Sequence, residues 1–144
     1  MLNQATVVAT IAVKDLGDAR EFYGEVLGLE EVDENPGGIT YASGDGKVFV
    51  YESQYAGTNK ATTASWMTLD IEPVIRDLKE RGVEFEHYDD MPGVTREGDL
   101  HIMGTSKSVW FKDPDGNILN VATMYIKKAT LLGGVVSLAA RSLV

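Results

Sequence analysis

With two histidines, two tryptophans and no cysteine, the chain has few side chains that can do chemistry. The lack of thiols removes cysteine nucleophiles, thiolate metal ligands and disulfides at once. Proton transfer would have to rest on Glu52, His101 or a tyrosine, and nothing in their spacing brings these together. There is no GxSxG elbow and no phosphate-binding glycine loop. Recognition is better served than reaction. Trp66 and Trp110 offer flat surfaces on which a planar ligand, a cationic one above all, can stack; either ring can equally be packing. Asn120 interrupts an apolar run in FKDPDGNILNV, residues 111–121. It is either a satisfied polar residue on an ordinary hairpin or a group that meets a ligand. His101, between Asp99-Leu100 and Met103-Gly104, reads as an exposed loop residue or as a base near neutral pH.

The elements that position these residues follow from periodicity and punctuation. Residues 6–13 are rich in strand formers. Asp15 then offers a helix N-cap, Ala19, Phe22, Tyr23, Val26 and Leu27 share one helical face, and Gly28 ends the helix. Three short strands follow at 29–34, 39–43 and 47–53, separated by Pro36-Gly37-Gly38 and Gly44-Asp45-Gly46. The second half repeats the order. A strand at 62–71 leads to a helix with Pro73 in its first turn, an apolar stripe of Val74, Ile75 and Leu78, and Gly82 as its stop. A strand at 83–88 and a loop over about 89–99 come next, and His87-Tyr88-Asp89-Asp90 reads as a strand end with solvated carboxylates. Strands at 106–112 and 117–125 close the pattern around Asp113-Pro114-Asp115-Gly116, a type I turn. Alternation sets Asn120 on one face with Ile118 and Ala122, and Leu119 and Val121 on the other. The expectation is an α+β fold of two βαβββ modules, about 6–54 and 62–126, in a single domain of residues 1–126 with an apolar tail at 127–144.

At 44% hydrophobic and 24% charged residues, the 144-residue chain has the make-up of an ordinary soluble domain with its own core. A formal net charge of −9 argues against nucleic-acid binding, which needs lysine and arginine on phosphates, and would draw a cationic ligand. The start, MLNQATVVATIAV, has neither the basic opening nor the cleavage site of a signal peptide, so a cytoplasmic location is expected. ATLLGGVVSLAA, residues 129–140, falls well short of the ~20 apolar residues of a membrane span. It is expected either to contact a partner copy or to be poorly ordered.

Three stretches, AVKDLGDAREFYGEVLGLEEV (12–32), LKERGVEF (78–85) and WFKDPDGNILNV (110–121), stand in this order within two βαβββ halves. In that arrangement the chain resembles the vicinal oxygen chelate superfamily, which includes glyoxalase I, extradiol dioxygenases and bleomycin- and fosfomycin-resistance proteins. The resemblance implies sheets that curve into a cleft, where metal-using members place His, Glu or Gln ligands on four strands. It carries those positions to Val8, seven residues ahead of the Asp-Leu pair, to Val50 with Glu52 two residues on, to Trp66, and to Asn120, where DPDGNxxE would have Glu. The resemblance thus implies a cleft without a metal or cofactor, lined by Thr10, Glu52, Trp66, Thr68, His101, Trp110 and Asn120. The expected function is metal-independent binding of a small aromatic or cationic compound by a homodimer. The alternative is a superfamily lyase, isomerase or dioxygenase with a metal site rebuilt around Glu52 and His101.

Overall fold

The computed structural model of the protein describes residues 1–124, so the apolar tail at 127–144 lies outside the described residues. The chain parts into two compact units. The first holds Met1–Ala64 together with the turn Asp113–Asn117, the second Ser65–Lys112 and, of the described residues, 118–124.

In the first unit, β1 (Ala9–Val13) leads to helix α1 (Leu16–Ala19), whose Asp15 N-cap accepts the Asp18 N–H at 2.9 Å. The helix runs on into a π-helical stretch, Arg20–Val26, with Leu27 N–H bonded five residues back to Phe22 O at 2.9 Å. Regular α spacing was the expectation. Gly24, a weak helix former, sits inside this wider turn. Strands β2 (Glu30–Asn35), β3 (Gly38–Ser43) and β4 (Gly46–Glu52) complete a sheet of order β1-β4-β3-β2, with β1 and β4 parallel. Ile11, Val13, Val48, Val50, Ile39 and Tyr41 share its covered face and are buried with Phe22 and Tyr23 of the helical stretch. The edge strand β2 is wholly exposed and carries Glu30, Glu31, Asp33 and Glu34, charges that discourage edge-to-edge pairing.

A polar core fastens the turn at 113–117 to this unit. The Asp113 carboxylate accepts Tyr23 Oη–H at 2.7 Å and Asn117 Nδ2–H at 2.8 Å through one oxygen. Its other oxygen accepts the backbone N–H groups of Asp115 and Asn117, at 3.0 and 2.9 Å. Asn117 also donates to Ala12 O at 2.7 Å and accepts Gly57 N–H at 3.2 Å. Gly57 has φ +71°, and a Cβ there would run into the Asp115 carbonyl, so only glycine allows this approach. Burial, and then the neighbouring Asp113, push the Tyr23 phenol far above its ordinary pKa.

Strand β5 (Thr62–Thr68) begins in the first unit and enters the second at Ser65, which then holds α2 (Ile71–Glu80), β6 (Phe85–Glu86), β7 (Thr95–Glu97), β8 (Leu100–Met103), β9 (Ser106–Lys112) and β10 (Ile118–Thr123). Asp70 caps α2, whose buried Ile71 and Leu78 each contribute about 1.5–3 kcal/mol by leaving water. The sheet order is β5-β10-β9-β8-β7. The β7–β8 hairpin replaces the loop expected before Asp99. Its strands of three and four residues are too short and too charged to register as alternation. In the first unit one strand, β2, lines the outer edge of β3. Here β9's outer edge is shared: β6 pairs with Phe111 and Trp110, and β8 takes over at Ser108, Lys107 and Ser106. That divided edge positions the candidate site described next.

Candidate functional site

Cross-strand partners show which side chains of the second sheet share a face. Trp110 stands opposite Asn120 and Glu86, and Ser108 opposite Ala122 and His101. These residues form one face. Val109, Phe111, Leu119 and Val121 form the other, buried one. Of the seven residues expected to form a site, three therefore come together: His101, Trp110 and Asn120. Tyr88, not among the seven, joins them.

His101 is 2% exposed, on strand β8, and not the solvent-facing loop residue that its flanking charges suggest. It fills the break between β6 and β8, where its Nε2 accepts the Tyr88 backbone N–H at 2.9 Å. A neutral imidazole has a single lone pair. With that pair engaged at Nε2, the ring proton lies on Nδ1. This Nδ1–H is buried and, among the described residues, has no hydrogen-bond partner, and neither has the buried Tyr88 hydroxyl. The three rings interlock edge to face: His101 to Trp110 at 4.9 Å and 84°, Tyr88 to Trp110 at 5.8 Å and 81°. Asn120, 7% exposed, donates from Nδ2 to Val109 O at 3.1 Å.

Charges around the cluster are mutually satisfied. Lys112 pairs with Glu86 at 3.1 Å and Arg96 with Asp89 at 2.6 Å, so Asp89 is paired and not simply solvated. Asp99 accepts from His87 at 2.8 Å and from Lys79 at 2.6 Å, and these bonds hold its carboxyl below the usual range. Desolvation raises the Tyr88 phenol.

The other four expected residues fall elsewhere. In the first sheet Thr10 stands opposite Phe49, and Ala12 opposite Tyr51. Glu52 stands opposite Val13, so it does not share the face of Thr10; it lies at the end of β4, beside a depression of about 350 Å³ that it lines with Lys14, Ser53 and Gln54. Val50 is fully buried in the core. The face of Thr10 belongs instead to Phe49 and Tyr51, whose rings lie 6.2 Å apart and nearly parallel. In the second sheet Met124 N–H bonds to Thr68 O at 2.8 Å, as Ser53 N–H bonds to Val13 O at 3.0 Å in the first. This sets Thr68 opposite Thr123 and Trp66 level with Val121. Trp66 and Thr68 thus face the buried side of Val121, away from Asn120. The helix caps agree: counting seven residues back from Asp70, as Val8 from Asp15, reaches Thr63 and not Trp66.

These corrected positions do not suit a divalent ion, which needs three or four converging nitrogen or oxygen donors. Val8 and Phe49 supply none, Thr63 a neutral hydroxyl and Asn120 a neutral amide. His101 has its only lone pair occupied. Among the described residues no three His, Asp or Glu side chains are grouped to hold a metal.

The description of one protein family fits the chain: a model for the Glyoxalase/Bleomycin resistance protein/Dioxygenase superfamily matches residues 4–121. No curated protein matches the chain. Among solved structures, a superfamily member from Sphaerobacter thermophilus is 27% identical with a TM-score of 0.61, covering 86% of this chain and 100% of its own. An antibiotic-binding protein from a Streptomyces species is 19% identical with a TM-score of 0.63, over 87% of this chain and 99% of its own. A lactoylglutathione lyase from Agrobacterium tumefaciens is 21% identical with a TM-score of 0.61, over 83% and 93%. At such identities the likeness is one of fold.

Proposed function

The chain belongs to the Glyoxalase/Bleomycin resistance protein/Dioxygenase superfamily, and from that premise we propose that it binds a small aromatic molecule without the help of a metal ion. One observation carries this reading. The face of the second sheet opposite Val109 and Leu119 carries Tyr88, His101 and Trp110 as a ring cluster beside Asn120; the imidazole in it has its one lone pair engaged by the Tyr88 N–H, and its Nδ1–H is without a partner among the described residues. A pocket for an organic ligand combines aromatic surface with a few placed polar groups, which is this composition. The fold family also contains the antibiotic-binding Streptomyces protein, and the same scaffold serves binding there. The expected homodimer and cytoplasmic location belong to this proposal; no helix of the described residues is long and apolar enough to cross a membrane.

The test is thermal melting of the full chain against a panel of aromatic compounds, once with a chelator and once with added Zn²⁺, Ni²⁺, Mn²⁺ or Fe²⁺. Binders that raise Tm equally in both conditions are expected. Shifts that appear only with metal, or a large shift from metal alone, would overturn the proposal.

A further inference from the structure

Two donors in the ring cluster are left without acceptors among the described residues. Burying a polar hydrogen with no partner costs about 1–3 kcal/mol, and folded proteins rarely accept that except where something else completes the bond. Nδ1–H of His101 and Oη–H of Tyr88 lie within one cluster whose ring centroids are 5.9 Å apart. Both are neutral. The charged side chains nearby are already paired with each other, Lys112 with Glu86 and Arg96 with Asp89. Among the described residues, the cations named beside the cluster are thus already engaged, and the chain's net charge is −9, so a carboxylate brought here would be poorly compensated. A neutral carbonyl oxygen has the right properties: it only accepts, and it carries no charge to desolvate.

Resting on the reading above, we infer that the ligand is an aryl ketone or a related aromatic carbonyl compound. Its carbonyl oxygen accepts from His101 Nδ1–H, with the Tyr88 hydroxyl as second donor, and its ring packs against Trp110. Tyr88, half-buried on the segment between β6 and β7, is the side chain that gives way as the ligand enters.

The experiment uses three probes on the full chain: acetophenone, its apolar isostere α-methylstyrene, and benzoate, each titrated by NMR while the His101 ring nitrogens are followed. Acetophenone is expected to bind about tenfold more tightly than the other two and to move the Nδ1–H resonance. His101→Gln keeps an acceptor for the Tyr88 N–H but removes the Nδ1 donor. Tyr88→Phe keeps the ring and removes a hydroxyl that has no partner, so its folding is not at risk. Each should weaken acetophenone about five- to tenfold and leave α-methylstyrene unchanged. Equal binding of acetophenone and α-methylstyrene, with Tyr88→Phe silent, would overturn this inference while the aromatic site stands. Benzoate binding tightest would overturn it in favour of an anionic ligand. If no probe binds and no aromatic compound shifts the melt, both this inference and the binding reading fall.

Discussion

Two buried polar clusters, one in each unit, resolve their hydrogen bonds in opposite ways. Around Asp113 and Asn117 every side-chain oxygen and nitrogen has a partner: Tyr23, Ala12, Gly57 and the turn's own backbone. Around His101 and Tyr88 one nitrogen and one hydroxyl have none among the described residues. Both clusters are aromatic and tightly packed. A satisfied network fixes one arrangement of the chain, whereas unsatisfied donors are the feature on which the proposed acceptor site rests. Lack of a partner alone is not enough, since Tyr41 Oη and Thr63 Oγ1 are also buried without one, in the first unit. What distinguishes His101 is its place in a ring cluster with Trp110 and Tyr88, where the second such donor stands beside it.

The comparison breaks most readily at Asn117. Asn117→Ala strips partners from Ala12 O, Gly57 N–H and the Asp113 carboxylate, and should cost about 3–4 kcal/mol in urea unfolding. A loss under 1 kcal/mol would show that the network is not architectural. Next in size, Trp110→Ala should weaken any aromatic ligand by about 2 kcal/mol or roughly thirtyfold, measured by calorimetric titration, whereas Phe49→Ala in the first sheet should leave it unchanged. Equal losses from the two would erase the distinction between the faces.

Tyr23→Phe removes one charge-assisted bond to Asp113 and should cost about 1.5–2 kcal/mol. It has a pH signature. Because the folded Tyr23 phenol is raised, its contribution is whole below the unfolded value of about 10 and is lost as pH climbs above it, when only the unfolded chain ionises. Urea midpoints should fall above about pH 10 in the parent and less steeply in Tyr23→Phe. The smallest effect is at Asp99, whose depressed pKa adds stability above about pH 4 that fades as pH falls through its folded value. Asp99→Asn should flatten that acid limb, an effect of about 0.5 kcal/mol because Lys79 and His87 are largely solvated.

The repeated module was legible because its signals are local: the N-cap Asp15, Pro73 in the first turn of the second helix, the stops Gly28 and Gly82, and the turn at Asp113–Gly116 all act over a few residues. Asn120 could be placed on its face for the same reason, since the turn sets the register of the hairpin. The face of Trp66 could not. TTASWMT has no clean alternation, and its parity is fixed by a backbone bond to Met124, far along the chain. In KVFVYE both faces are apolar, so Val50 and Phe49 were indistinguishable until pairing with Ile11 and Thr10 separated them. Tyr88 and the burial of His101 depend on the divided outer edge of β9, which no local pattern announces.

The protonation of the His101 ring tests the account most directly, because a donor and a metal ligand need opposite things of Nδ1. Nitrogen-15 NMR of the full chain at neutral to slightly alkaline pH should show the proton on Nδ1 and a bare Nε2, unchanged when Zn²⁺ or Ni²⁺ is added. A proton on Nε2, with Nδ1 shifting on a stoichiometric metal ion, would contradict it.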